Sequence, residues 1–359
     1  MLISRFRCDN SAETLSRLLF MKDGEEDRFA FDLSCEQFDE ALSLANSHHV
    51  VMRCMETLRR SASACGNTEQ SEWASAALEY ERIRVNRAIS FLEEIRLALA
   101  CEGCEVIVIK SLDHWPDLGS DLDLYTDAAP ADVIAILGKA FKAHLAARSW
   151  GDRLAHKWNF MIPGLPELVE FHMGRLGQTG ELVNFANHLV GRARPSRIGD
   201  CFFQVPSAED RLLIGTLQRM YRHFYIRLCD IADTVQLLEA DFVNFTDLRD
   251  TAEECGIWDG VATFLTIAVE YTEQFGKSRV SLPSEVRSAA RFGADQITFA
   301  RGFLRVPILP HSLRLYASEW TALIAQGQLR STARLSLLPW LATAAALGEK
   351  FTGSDKGIW

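Results

Sequence analysis

Four consecutive β-branched residues, Val106-Ile107-Val108-Ile109, interrupt a chain that otherwise reads as helix for its first hundred residues. A continuous apolar run of this kind is the pattern of a strand buried on both faces. Asp121-Leu122-Asp123-Leu124-Tyr125 then alternates polar and apolar, which predicts a strand with two unlike faces. Lys157 to Ile162 and Leu168 to Met173 read as two further strands, and Pro163-Gly164-Leu165-Pro166 between them is turn chemistry, so a hairpin is expected. Cys201 to Val205 adds a short strand.

Helices surround this block. Cys35 to Ala62 carries Phe38, Leu42, Val51, Met55 and Leu58 at three- and four-residue steps, and a polar break follows from Ser61 to Gln70. Glu72 to Ala100 is the cleaner helix, stopped by Gly103. Pro130 is placed to open a helix continued by Val133 to Ala147. Ser207 caps a new helical stretch, with Glu209 and Asp210 in its first turn. Leu212 to Tyr221, Tyr225 to Leu238 and further helical periods run to about residue 345, with the apolar stretch Leu335 to Leu347 as core or partner-facing helix. The tail Phe351 to Trp359 reads as loosely held. The expected fold class is α+β. A small mixed β-sheet core (101–206) is flanked by an N-terminal helical region (1–100) and a C-terminal helical domain (207–359).

Composition narrows the function. At 48% apolar and 24% charged, the chain is neither disordered nor a collagen-like or coiled-coil repeat. It carries 38 basic against 48 acidic residues, so extended coating of nucleic acid, which rests on neutralising phosphates, is not expected. No secretory pattern or membrane-spanning run is visible, so a cytoplasmic, non-membrane location is expected. Nine scattered cysteines fit reduced thiols, and Cys101-x-x-Cys104 lacks the second pair that a structural zinc needs. The charge is uneven. Residues 139–227 hold thirteen Lys and Arg against seven Asp and Glu, a local +6 in a chain of −10. That surplus suits one polyphosphate, with or without an anionic second substrate.

The chemistry concentrates in the middle block. Residues two apart on a strand face the same way, so Asp121 and Asp123 form a carboxylate pair that a hard divalent cation would stabilise. Gly119 and Ser120 before the pair permit a tight turn with free backbone N–H groups, suited to phosphate oxygens. Glu170 is the best third carboxylate for a two-metal site, and His172 shares its strand face. Lys110 ends a buried strand, where an unpaired ammonium is costly, so a phosphate or a carboxylate such as Asp121 or Asp113 is its expected partner.

These segments together resemble the polymerase-β-type nucleotidyltransferase superfamily, and more closely a bacterial branch of largely uncharacterised nucleotidyltransferases. The resemblance rests on Val108-Ile109-Lys110-Ser111, Asp121-Leu122-Asp123-Leu124 and Glu170-Phe171-His172-Met173. It continues through Arg219-Met220-Tyr221-Arg222-His223 and Leu228-Cys229-Asp230-Ile231, and covers roughly residues 100–240. Ser111 replaces the usual glycine and Glu170 the usual aspartate. The resemblance implies a nucleotidyltransferase core and a metal-dependent enzyme that moves NMP from an NTP co-substrate to an acceptor hydroxyl or phosphate, releasing pyrophosphate.

By the same resemblance Asp121, Asp123 and Glu170 would hold Mg²⁺ or Mn²⁺, and Lys110, Ser111, Gly119, Ser120, Lys157 and Arg222 would contact the nucleotide. His114 and His172 are acceptor-site candidates, with the loop Asp113 to Leu118 shaping that pocket. For His172 the roles of metal ligand, base and core histidine stay open. Asp230 is expected to pair with an arginine. The acceptor is a small molecule, a peptide or protein, or a tRNA end. A non-catalytic binding protein of the same fold and a metal-dependent phosphotransferase are the competing functions.

Overall fold

The computed structural model describes residues 10–21, 31–240, 242–275 and 280–340. Four helices lead: α1 (Asn10–Phe20), α2 (Cys35–Ser47), α3 (Val51–Ala64) and the long α4 (Thr68–Cys101). The middle block supplies β1 (Ile107–Val108), β2 (Asp121–Thr126), α5 (Pro130–Phe141), β3 (His144–Leu145), α6 (Trp150–Leu154), β4 (Lys157–Met161), β5 (Leu168–Met173), α7 (Val183–Arg192), β6 (Arg194–Ile198) and β7 (Cys201–Val205). The C-terminal part is α8 (Ala208–Thr216), a π-helical turn (Leu217–His223), β8 (Tyr225–Ile226), α9 (Leu228–Glu239), α10 (Phe245–Glu254), α11 (Trp258–Gln274), α12 (Ser284–Ala289), β9 (Thr298–Ala300), β10 (Phe303–Arg305), α13 (Leu313–Ala325) and α14 (Leu329–Leu335). No described helix is long and apolar enough to cross a membrane.

The fold is α+β. A seven-stranded mixed sheet, ordered β3-β4-β5-β2-β1-β7-β6, lies in the middle with helices flanking it. Its two faces differ, as the alternation in β2 requires. Val108, Leu122, Leu124, Val169 and Phe171 pack with Val85 to Leu99 of α4 and with Val133 and Leu137 of α5. Ile107, Ile109 and Tyr125 point the other way, into a larger core shared with α1–α3 and with residues from Leu212 to Leu315. Helix α4 serves both cores, with Ala74 and Leu78 in one and Ile95 and Leu99 in the other.

The hairpin of β4 and β5 forms as the sequence predicts. Other expectations need correction. The run from Cys35 to Ala62 is two helices, because His48 leaves the helix to bond elsewhere. Its Nδ1 accepts from the Leu228 amide at 2.9 Å, so Nε2–H donates to the Gly302 carbonyl at 2.8 Å. The polar break shrinks to Cys65–Asn67, since the Asn67 side chain caps α4. The helix opened by Pro130 ends at Phe141. Lys142 takes φ 53°, and His144–Leu145 pair with β4 instead. Tyr225–Ile226 are not helical; they join β10 and β9 in a second, three-stranded sheet hidden among helical periods. Strand β6 has no signature in the sequence, because Arg194-Pro195-Ser196-Arg197 carries no strand-like alternation, and it forms by pairing with β7. Residues beyond 340, which include most of the apolar stretch to Leu347 and the tail 351–359, lie outside the described residues.

Two arginines tie the helices to the loop before β2. Arg53 of α3 reaches Asp117 Oδ2 and Asp233 Oδ1, each at 2.7 Å, and the Met52 amide donates to Asp117 Oδ1 at 2.5 Å. Arg84 of α4 pairs with Glu81 at 2.6 Å and Glu167 at 2.8 Å, and also donates to the Leu118 and Gly119 carbonyls at 2.8 and 3.1 Å. Both aspartates and both glutamates are buried. Removing one partner of a buried pair leaves an uncompensated charge and costs about 3–5 kcal/mol. Arg53→Met should therefore lower stability by about that amount in urea denaturation. A loss below about 1 kcal/mol would show that the pair does not hold α3 and α9 to the loop.

Candidate active site

The register of β2 and β5 decides which side chains meet. The strands run parallel with Asp123 opposite Glu170 and Tyr125 opposite His172, while antiparallel β4 sets Lys157 opposite His172. Side chains two apart share a face, so Asp121, Asp123, Glu170, His172 and Lys157 converge on the side of the sheet that faces the C-terminal helices. There they line a cleft of about 220 Å³. Lys110, Ser111, His114, Gly119, Ser120 and Arg222 line the same cleft, so every candidate named from the sequence lies in one place.

The carboxylates and cations are closely interlocked. Lys110 is ion-paired with Asp123 and lies 3.7 Å from Glu170 Oε1. Lys157 Nζ lies 2.5 Å from the same Glu170 oxygen. The 2.9 Å contact between His172 Nε2 and Glu170 Oε1 assigns the proton to Nε2, and leaves Nδ1 buried with no hydrogen-bond partner among the described residues. Burial opposes ionisation of Glu170, yet Lys157, the His172 hydrogen bond and Lys110 together hold it well below the ordinary carboxylate range. Burial pushes Asp123 up to about 7, with Lys110 pulling it down and Glu170 pushing it up. Burial and then the Arg222 charge bring Lys157 down to about 8. Asp121, at the mouth, is raised by desolvation and then by Glu170.

The donor set fits a hard divalent cation. One ligand atom each from Asp123, Glu170 and His172 lie within 4.8 Å of one another. The mutual repulsion of Asp123 and Glu170 is the strain such an ion relieves, and carboxylate oxygens suit Mg²⁺ or Mn²⁺. His114, Cys229 and Asp233 also cluster within 4.8 Å. That group reads differently: the imidazole lies between its neighbours, with Nδ1 2.5 Å from Asp233 Oδ2 and Nε2 3.9 Å from Cys229 Sγ, while Arg53 already bonds Asp233. It is a hydrogen-bonded cluster that fixes the His114 ring at the cleft wall.

Local backbone devices position these groups. Lys110 takes φ 65°, a left-handed conformation that is strained for a residue with a side chain, and turns the chain out of β1 into the short 3-10 turn Ser111–His114. Ser111 Oγ accepts from the Asp123 amide at 2.7 Å and donates to the Asp121 carbonyl at 3.3 Å. Its hydroxyl thus fastens the turn to the carboxylate strand, a use for the serine in place of glycine that spacing could not reveal. The loop expected to shape an acceptor pocket is held by ion pairs, Asp113 with Arg211 at 2.6 Å and Asp117 with Arg53. Asp230 does pair with an arginine, Arg219, at 2.7 Å.

Several lining residues escape a sequence reading. His49, at φ 54° between α2 and α3, stacks on His114 with ring centroids 5.9 Å apart. Gln178 comes from a turn built on Glu181, which accepts from the Gln178 and Thr179 amides at 2.8 and 2.6 Å. Gly177 in that turn is required, since a Cβ there would stand 2.2 Å from the Glu181 carboxylate. Tyr225 and Arg227 enter from β8 and its exit. In the sequence, only the arginine-rich segment 219–227 points to any of these.

Burial keeps His48, His49 and His172 neutral, at about 4, 2 and 3; Arg227 adds to it at His49 and Lys157 at His172. The unfolded chain takes up their protons near pH 6.5. Their stability is therefore complete above that value and lost as pH falls toward about 4, while Asp117, raised by burial to about 6, acts in the opposite sense. His48→Gln, outside the cleft, isolates one group. The stability difference between about pH 7 and 4.5, from urea titrations, should shrink by about 2 kcal/mol. An unchanged difference would mean that His48 is not held neutral in the fold.

Residues 34–273 match a family model described as uncharacterised nucleotidyltransferase. No curated protein matches the chain.

Proposed function

Because the chain belongs to the uncharacterised nucleotidyltransferase family, we propose that it transfers NMP from an NTP to an acceptor hydroxyl or phosphate and releases pyrophosphate. The observation that carries this reading is the register that gathers Asp121, Asp123, Glu170 and His172 beside two lysines on one sheet face. Polymerase-β-type chemistry needs such a set, with carboxylates for cations and ammonium groups for phosphates.

Asp121, Asp123 and Glu170 would hold Mg²⁺ or Mn²⁺, with His172 alongside. Such an ion screens the phosphates and lowers the pKa of a bound hydroxyl. The remaining work falls to the chain. Lys110 and Lys157 neutralise Asp123 and Glu170; a cation taken up by those carboxylates competes for them and leaves both ammonium groups for phosphate oxygens. Ser120 and the backbone of Gly119, steadied by Arg84, face the polyphosphate, and Arg222 adds positive charge beside Lys157. The acceptor oxygen bonds to the α-phosphorus while the bridge to the β-phosphate breaks, and the electron pair leaves with pyrophosphate. The hydroxyl proton passes to the carboxylate pair Asp123 and Glu170.

The test is product analysis with each of the four NTPs, Mg²⁺ or Mn²⁺ and a panel of acceptors. Pyrophosphate release is expected with at least one combination, and Asp121→Ala with Asp123→Ala should reduce it at least about a hundredfold while the protein still melts cooperatively. A double variant as active as the parent sinks the site assignment. Release of nucleoside diphosphate would select a phosphotransferase, and absence of nucleotide binding in calorimetry a non-catalytic binder.

A further inference from the structure

The cleft is also lined by a cluster of arginines. The guanidinium carbons of Arg219, Arg227 and Arg305 lie 5.6, 5.7 and 5.4 Å from the centre of one ring, Tyr225, which packs on Phe303 at 4.5 Å. Among the described residues, Asp230 is the one carboxylate ion-paired with any of the three. It lies 2.7 Å from Arg219 Nε and accepts from the Arg227 backbone amide at 2.7 Å. Three positive charges thus meet one negative charge.

Arg219 is 1% exposed, and its Nη1 is buried with no hydrogen-bond partner among the described residues, although the residue lines the cleft. Arg227 lines it too, and its Nε is likewise without a partner. A buried guanidinium nitrogen with nothing to donate to is costly unless a ligand completes it. Guanidinium groups that line one space suit the several oxygens of a phosphate better than a single carboxylate or hydroxyl does. The surroundings agree: His223 on the same wall is driven well below the ordinary imidazole value by burial, then by Arg222, Arg219, Lys157 and Arg227.

We propose that Arg219 and Arg227, braced by Tyr225 and Asp230, form an oxyanion subsite that binds a phosphate group of the acceptor, so that the acceptor is a phosphorylated molecule. The assignment to the acceptor rests on the nucleotidyl-transfer reading above, in which the NTP polyphosphate is met by Lys110, Lys157 and the turn before β2. The oxyanion subsite itself stands without that reading.

Calorimetric titration of the full-length chain with inorganic phosphate tests both parts. Phosphate should bind the free protein. Arg227→Met, a partly exposed position that the fold should tolerate, should weaken it at least about tenfold, as loss of a charge-assisted contact does. Tyr225→Leu, which removes the brace and leaves the charges, should weaken it less. Asp121→Ala with Asp123→Ala, which removes negative charge from the same cleft, should not weaken phosphate binding, even if the same variant ends nucleotide binding. Saturation with Mg²⁺ and an α,β-methylene NTP analogue should leave phosphate affinity within about threefold. Failure of phosphate to bind, or equal binding by Arg227→Met, overturns the subsite. Displacement of phosphate by the analogue overturns the acceptor assignment and gives the arginines to the NTP. If no NTP analogue binds at all, the functional reading fails, while the phosphate titration still decides the subsite.

Discussion

The parallel pairing of β2 with β5 is the constraint on which the site depends. It sets Asp123 directly opposite Glu170 in a partly buried position, where two carboxylates repel each other. The fold offsets this with Lys110 and Lys157, each carried to the carboxylates by backbone rather than by long reach. Lys110 leaves β1 through a left-handed turn, and Lys157 stands opposite His172 on β4. The result is a balance of opposed charges; in the proposed reaction a divalent cation and a polyphosphate enter it by exchanging partners, without bringing new charge into an apolar space.

That balance has to be held in place, and the holding is done from outside the sheet. Arg84 reaches from α4 to the two carbonyls just before Ser120 and Asp121, and Arg53 reaches from α3 to Asp117 in the same loop and to Asp233 on α9. Asp233 in turn fixes His114 at the cleft wall. The N-terminal helices therefore act as the frame of the cleft, linking the carboxylate strand to the C-terminal helices through hydrogen-bonded charge. His49 and Gln178 belong to this frame as well, since each enters the cleft only because a neighbouring turn is fixed, by φ 54° at His49 itself and by the Glu181 carboxylate near Gln178.

Much of the arrangement was legible before any fold was known. The strand pattern of Asp121 to Tyr125, the hairpin from Lys157 to Met173 and the strand-end position of Lys110 are local in sequence, and period-two alternation fixes which side chains share a face. The sequence misleads where a local pattern is overridden from a distance. His48 reads as one more residue of a helix until Gly302 and Leu228 claim its two nitrogens. Tyr225 reads as helical until its pairing with Arg305 makes it a strand. Ser111 reads as a misfit for glycine until the Asp123 amide accounts for its hydroxyl.

The sequence by itself determined the fold class, the carboxylate strand and the residue types that gather around it, because alternation, turn chemistry and strand-end charge act within a few residues. Tertiary structure alone decided which lysine neutralises which carboxylate, that His114 is locked between Asp233 and Cys229, and that Arg219, Arg227 and Arg305 surround one tyrosine. The physical reason is common to all three. Electrostatic partners are chosen by distance and burial in the folded chain, and those quantities have no counterpart in spacing along the sequence.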